Sequence, residues 1–273
     1  MREPVYFVHI TDTHIGPTPT FSRHGHQSYA CARRLVEIIN GLPVPPDFII
    51  HTGDVVNEPD PRAYALAAQV FRQLASPVYY VTGNHDTAPD ILAYLPMGPR
   101  QPAIVDPDYL CYRFEVKGYR FLVLDGHIPN EDAPHGWLPA AQMAVLEAQA
   151  ADVNGPPLII FNHFPALPIN APWIDANLPL GNGVEVHRTL ACLLPRLRAV
   201  FLGHVHQNIQ TWRDGVLYVA AASAFSQFTA WPTDRQIGLD TDHLPGFNFV
   251  HLLPEQTIIR QHTFPRPVIK EPS

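Results

Sequence analysis

The chain has 273 residues, 46% hydrophobic and 16% charged, with a formal net charge of -7. That size supports a substantial core, and the balance excludes a disordered or fibrous protein. No run of Lys or Arg is present, which argues against a nucleic-acid polymer or an anionic membrane as the main partner, since both need a basic footprint.

Val5–Ile10 is a short β-branched and aromatic run that reads as a buried strand. Ser28–Asn40 spaces Ala32, Leu35, Val36 and Ile39 at helical intervals, and Gly41 closes the segment. Phe48–His51 reads as a second strand, residues 62–74 as a helix and residues 78–81 as a third strand. This alternation predicts a sheet with helices packed on its faces. Further on, residues 110–116 and 120–124 flank Lys117-Gly118 as a hairpin, and residues 140–150 form a helix. Leu158–Phe161 and residues 199–202 are short apolar strands separated by a helix near residues 186–194. Residues 209–212, Val216–Ala220, 247–253 and 258–264 add more strand. The thirty prolines are dispersed as loop punctuation, and no linker or repeat divides the chain. One α/β domain spanning residues 1–273 is therefore expected, with residues 207–273 completing a second sheet and covering the site.

Cys31, Cys111 and Cys192 are distant from one another and odd in number. Neither a disulfide framework nor thiolate-held zinc is expected. The apolar run before Asp12 is too short for a signal peptide and no membrane-length stretch follows, so the chain reads as cytoplasmic.

Five polar clusters each follow a strand: Asp12-Thr13-His14, Gly53-Asp54, Gly83-Asn84-His85-Asp86, His163 and Gly203-His204-Val205-His206. In open α/β sheets, ligands bind in the crevice beyond the carboxyl ends of the strands. Carboxylates and imidazoles without a thiolate suit manganese, iron, zinc or cobalt. Asp12-x-His14 and His204-x-His206 place paired side chains on one side of extended backbone. So many donors exceed one tetrahedral ion and fit two ions sharing a carboxylate, the usual clamp for displacement at phosphorus. The glycines at 53, 83 and 203 permit positive φ or close backbone approach at the turns that aim the donors.

The ordered series D-x-H, G-D, G-N-H-D, H and G-H-x-H resembles the calcineurin-like metallophosphoesterases. It is most similar to the bacterial class III cyclic nucleotide phosphodiesterase and glycerophosphodiesterase group. The resemblance runs through motifs from Val5 to about His206. It implies a four-layer αββα sandwich of two stacked mixed β-sheets flanked by helices, holding two divalent or Fe/Mn/Zn-type ions. By the same resemblance Asp12, His14, Asp54 and His206 hold the first ion. Asp54 bridges to the second, which Asn84, His163 and His204 complete. His85 is left off the metals and aimed at the substrate, where it either donates a proton to the departing alkoxide or, as imidazolium, stabilises it, with Asn57 orienting it. Asp86 is a turn or supporting residue. The implied reaction is hydrolysis of a small phosphodiester, of cyclic nucleotide or glycerophosphodiester type, by a metal-bridging hydroxide.

Two alternatives stand beside that reading: a phosphomonoesterase of the same family, and an inactive metal-binding scaffold. The absence of an arginine pair placed for a dianion tilts towards diesters, and the presence of His85 tilts against the scaffold. Residues 164–183 and 223–244 have the composition of loops over the site. Their aromatics Trp173, Phe225, Phe228 and Trp231 suit base stacking, and equally suit core or homo-oligomer contacts. His24 and His26 read as solvent-exposed loop residues, His51 as packed, and Asp125 as a structural turn residue.

Overall fold

The computed structural model describes residues 2–131 and 133–267. Its first sheet is ordered Thr257–Thr263, Gly246–Leu252, Val5–Ile10, Phe48–His51 and Val78–Tyr80. The three N-terminal strands are parallel, and the two C-terminal strands join antiparallel. The second sheet runs Gln210–Arg213, Val216–Ala220, Leu197–Leu202, Leu158–Phe161, Tyr119–Val123, Tyr112–Val116 and Gln101–Pro102. Parallel pairing links its four middle strands from Val216–Ala220 to Tyr119–Val123, with antiparallel strands at both edges.

Alternation along the strands sorts side chains into layers. On Tyr119–Val123, Phe121 and Val123 belong to the core between the sheets, whereas Leu122 packs outward. Between the sheets the packing is largely aromatic. Phe7 meets Phe121, Phe161 and Phe201 edge to face at 5.2–6.1 Å, and Phe48 meets Phe114 and Phe121 at 5.1 and 4.8 Å. Such crossings suit the ring quadrupole and add to the area buried.

Helices Ser28–Asn40 and Pro61–Phe71 cover the first sheet, burying Leu35, Val36 and Ile39 from one and Tyr64, Ala67 and Phe71 from the other. Ala140–Ala151 and Gly183–Ala191 cover the second through Met143, Leu146, Val186 and Leu190. The layers are therefore helix, sheet, sheet, helix, as the resemblance implied. No helix among the described residues is long and apolar enough to cross a membrane.

Three sequence expectations change. Only the hairpin of Gln210–Arg213 and Val216–Ala220 completes the second sheet. Gly246–Leu252 instead pairs with Val5–Ile10, whose free edge would otherwise leave backbone groups unsatisfied, and Thr257–Thr263 pairs in turn with it. Residues 268–273 lie outside the described part. A helix at Ala88–Tyr94 was not anticipated; it is short, but Thr87 caps it by accepting from Asp90 N at 3.2 Å. Within residues 164–183, Pro172–Asn177 is a short helix rather than loop.

Phe48 sits at the centre of the aromatic layer and is 1% exposed. Phe48→Ala should destabilise the protein by about 3–5 kcal/mol, because the surrounding rings cannot collapse into the void. Denaturant unfolding measures this, and a loss under about 1 kcal/mol would contradict the packing described.

Candidate metal centre

The five polar clusters all lie just beyond strand ends, and the two sheets bring them to one crevice. Asp12, His14, Asp54 and His206 each offer a donor atom within 4.8 Å of the others, and Asp54, His163 and His204 do the same. Asp54 belongs to both groups. Its Oδ2 is 3.4 Å from His14 Nε2 and 3.4 Å from His163 Nε2. His206 Nε2 lies 3.4 Å from Asp12 Oδ1.

Backbone conformation aims these groups. Asp12, His14, Asp54, His204 and His206 all have φ between 43° and 70°, a left-handed region that costs a non-glycine residue on the order of 1–3 kcal/mol. Such strain persists only where the surroundings over-determine it, and it clusters at functional sites. Gly53, at φ 97°, also permits a close approach: a Cβ there would stand 2.5 Å from His163 Nδ1 and 2.8 Å from Gly83 N. At Gly83 a Cβ would strike the Asp54 carboxylate, so here the absent side chain matters and not the dihedral.

Outward hydrogen bonds fix three imidazoles. His163 Nδ1 donates to Thr52 O at 2.6 Å, His204 Nε2 to Pro134 O at 2.7 Å, and His206 Nδ1 to Ser226 O at 2.9 Å. Each carbonyl holds the ring proton outward and turns the other nitrogen inward, the arrangement metal-binding histidines adopt. The inward atoms crowd together: His163 Nε2 to His204 Nδ1 is 3.0 Å, and His14 Nε2 to His206 Nε2 is 3.1 Å. Asn84 Oδ1 is buried with no partner among the described residues.

The electrostatics are those of buried charge. Burial opposes ionisation of Asp54, yet His163, His85 and His14 hold its carboxyl well below the ordinary range. Burial pulls the His163 ring down, but the Asp54 carboxylate outweighs it and lifts His163 to about 9. His204, buried beside cationic His163, falls to about 3.

A model of the calcineurin-like phosphoesterase family matches residues 5–208. The chain belongs to that family. It is accordingly a metal-dependent phosphoric ester hydrolase. Among its relatives, the glycerophosphodiester phosphodiesterase GpdQ of Enterobacter lignolyticus is 33% identical over 212 residues, covering 74% of this chain and 71% of the relative. A 3',5'-cyclic-nucleotide phosphodiesterase of Nostoc is 26% identical over 260 residues, covering 93% and 90%. The 3',5'-cyclic adenosine monophosphate phosphodiesterase CpdA of Escherichia coli K12 is 27% identical over 254 residues, covering 93% and 87%. Among solved structures, GAP50 of Plasmodium superposes with a TM-score of 0.61 at 13% identity, covering 95% of this chain and 84% of that one.

The residues present fit the metals of this family. An inward set of carboxylate and imidazole donors, three of them locked in the required tautomer, shares its cavity with Asn84, whose buried amide oxygen has no partner among the described residues.

The remaining sequence expectations divide. His85 lines the cavity rather than either donor cluster, and its Nδ1 donates to the backbone carbonyl of Asn57 at 2.7 Å. Asn57 thus reaches His85 through an atom every residue possesses. Asp86 accepts from the backbone N–H groups of Gly83, Val55 and Val56 at 3.1–3.2 Å, tying the Asp54 loop to the Asn84 loop. Asp125 accepts from Leu110 N and His127 N, and His51 is buried against Thr13.

His24 and His26 are half-buried and not freely solvated. His24 stacks on Phe225, and its Nδ1 lies 3.0 Å from Ser226 Oγ. Of the four loop aromatics, Trp173 and Phe228 line the cavity over the donors. Phe225 is fully buried against His14, and Trp231 is 64% exposed.

One charged cavity residue belonged to no motif: Arg23, half-buried, whose Nη1 donates to Asn57 Oδ1 at 2.7 Å and lies 3.2 Å from His14 Nδ1. The signal available was His24-Gly25 between Arg23 and His26, a two-residue hairpin turn with φ of 51° and 77°.

Because His163 is protonated at neutral pH in the metal-free protein, an ion binding there must displace a proton. Affinity for manganese should therefore rise from pH 7 towards about 9, with proton release detectable by calorimetry in buffers of different ionisation heat. Uptake independent of pH and buffer would contradict a proton held on His163 by the Asp54 carboxylate.

Proposed function

We propose that the protein is a binuclear-metal phosphodiesterase acting on small diesters of cyclic nucleotide or glycerophosphodiester type. The observation that carries this reading is Asp54 Oδ2, 3.4 Å from the inward nitrogen of a histidine in each cluster. One ion would be held by Asp12, His14, Asp54 and His206, and the other by Asp54, Asn84, His163 and His204. When bound, two such ions supply Lewis acidity and offset the charge that builds on the phosphoryl oxygens. The donor set suits manganese, iron or zinc, with availability deciding among them.

His85 is the residue placed to move a proton. Its Nδ1–H is committed to the Asn57 carbonyl, so Nε2 is the atom left to protonate a departing alkoxide. Its half-buried ring stands edge to face on His14 with centroids 4.8 Å apart, which fixes its direction. A metal-binding scaffold would have no need of this arrangement. The cavity, about 140 Å³, is lined by Trp173, Leu178, Phe228 and Ile237 as well as by the donors, with Phe228 stacked on His206. That apolar wall offers the second ester group of a diester a place out of water. The named activities of GpdQ and CpdA support the same substrate class.

Nitrophenyl di- and monoesters, assayed after chelation and again after adding manganese, test the reading. Metal-dependent turnover with the diester faster is expected. No metal-dependent turnover of either ester would sink the proposal, and a faster monoester would reverse the substrate order. His85→Ala should keep its metal and lose roughly 10²–10⁴-fold in kcat; metal loss would make His85 a ligand instead. Asp54→Ala should bind at least one ion fewer than the native chain, and unchanged stoichiometry would refute the bridge.

A further inference from the structure

Arg23 is the only guanidinium lining the cavity among the described residues, and its surroundings leave most of it free. Of its five N–H donors, those on Nη1 face Asn57 and His14; Nε and Nη2 have no partner, and no ion pair is made, among the described residues. An arginine held in this way is a preformed fork for an oxyanion, because its planar donors match two phosphate oxygens and its charge is permanent.

The local fold places it deliberately. Ser22–Arg23 pairs with His26–Gln27 across the two-residue turn. That hairpin is pinned to the 223–228 segment by His24, which contacts Ser226 Oγ and stacks on Phe225 with rings 11° apart. Asn57 then serves two residues at once. Its side-chain oxygen accepts from Arg23, and its backbone carbonyl accepts from His85. The anion fork and the proton donor are thus fixed on one rim of the cavity by a single residue.

We infer that Arg23 is a substrate-binding residue that takes a non-bridging phosphoryl oxygen of the ester, and of the phosphate product, through Nε and Nη2. This inference rests on the phosphoesterase reading and adds a fixed protein cation to the metals. The ion-to-phosphate attraction grows with anion charge, so the effect is larger for a dianion than for a monoanionic diester.

Inorganic phosphate is the probe, titrated by calorimetry into metal-loaded protein and used as a competitive inhibitor of diester hydrolysis. Arg23→Gln should weaken phosphate binding by roughly tenfold or more and raise KM for the diester by a smaller factor, with metal content unchanged. Arg23→Lys should recover part of the phosphate affinity, because it restores charge without the fork. Unchanged phosphate affinity in Arg23→Gln, or loss of metal from that variant, would overturn the assignment and make Arg23 a support for His14. Calorimetry reads Arg23 even if native protein hydrolyses neither ester, so failure of this inference is separable from failure of the hydrolytic reading.

Discussion

Asp12 and Asp54 are two carboxylates with almost no access to water, 0% and 2% exposed, with oxygens within 4.8 Å of each other. Burying one such charge is expensive, and burying two of like sign is worse unless positive charge compensates. Imidazoles compensate in part, which is why His163 is driven to hold a proton that its burial would otherwise expel. Divalent ions would compensate in full, and the tautomers imposed by Thr52, Pro134 and Ser226 are the ones such ions require. The site is thus electrostatically incomplete as a protein structure and complete as a metal site.

The rest of the architecture answers that demand. Parallel strands of two sheets end on the same edge of the sandwich, so residues as distant in sequence as Asp12 and His206 meet there. Left-handed backbone at five of the donor-bearing residues turns the side chains inward, at a strain that the aromatic core and the Asp86 clamp must hold. Asp86 contributes by gathering three backbone N–H groups from two loops. The core between the sheets, centred on Phe7 and Phe48, fixes the distance between halves of the site. A shift there would separate the clusters that share Asp54.

Much of this was legible in the sequence because strands announce themselves by short apolar runs, and the donors follow at once. Val5–Ile10, Phe48–His51, Leu158–Phe161 and Val216–Ala220 have the bounds read from composition alone. The six residues that the structure gathers into two donor clusters, Asp12, His14, Asp54, His163, His204 and His206, also stood out, since metal chemistry restricts residue type and spacing. Sheet membership of Gly246–Leu252 was not legible, because pairing depends on which edge lies open in the folded chain. Arg23 was hidden for a related reason: its role comes from Asn57 and from a hairpin pinned by Ser226, contacts that no local pattern encodes. The Asn57 contact to His85 could be placed but not its atom, since a backbone carbonyl leaves no mark on residue identity.

The central claim is that one carboxylate joins two ions. Anomalous diffraction from crystals of the manganese-loaded protein tests it most directly. Two peaks roughly 3.5–4 Å apart are predicted, with Asp54 contacting both, Asp12, His14 and His206 around one, and Asn84, His163 and His204 around the other. A single peak at full occupancy, or two peaks with Asp54 bound to only one, would contradict it.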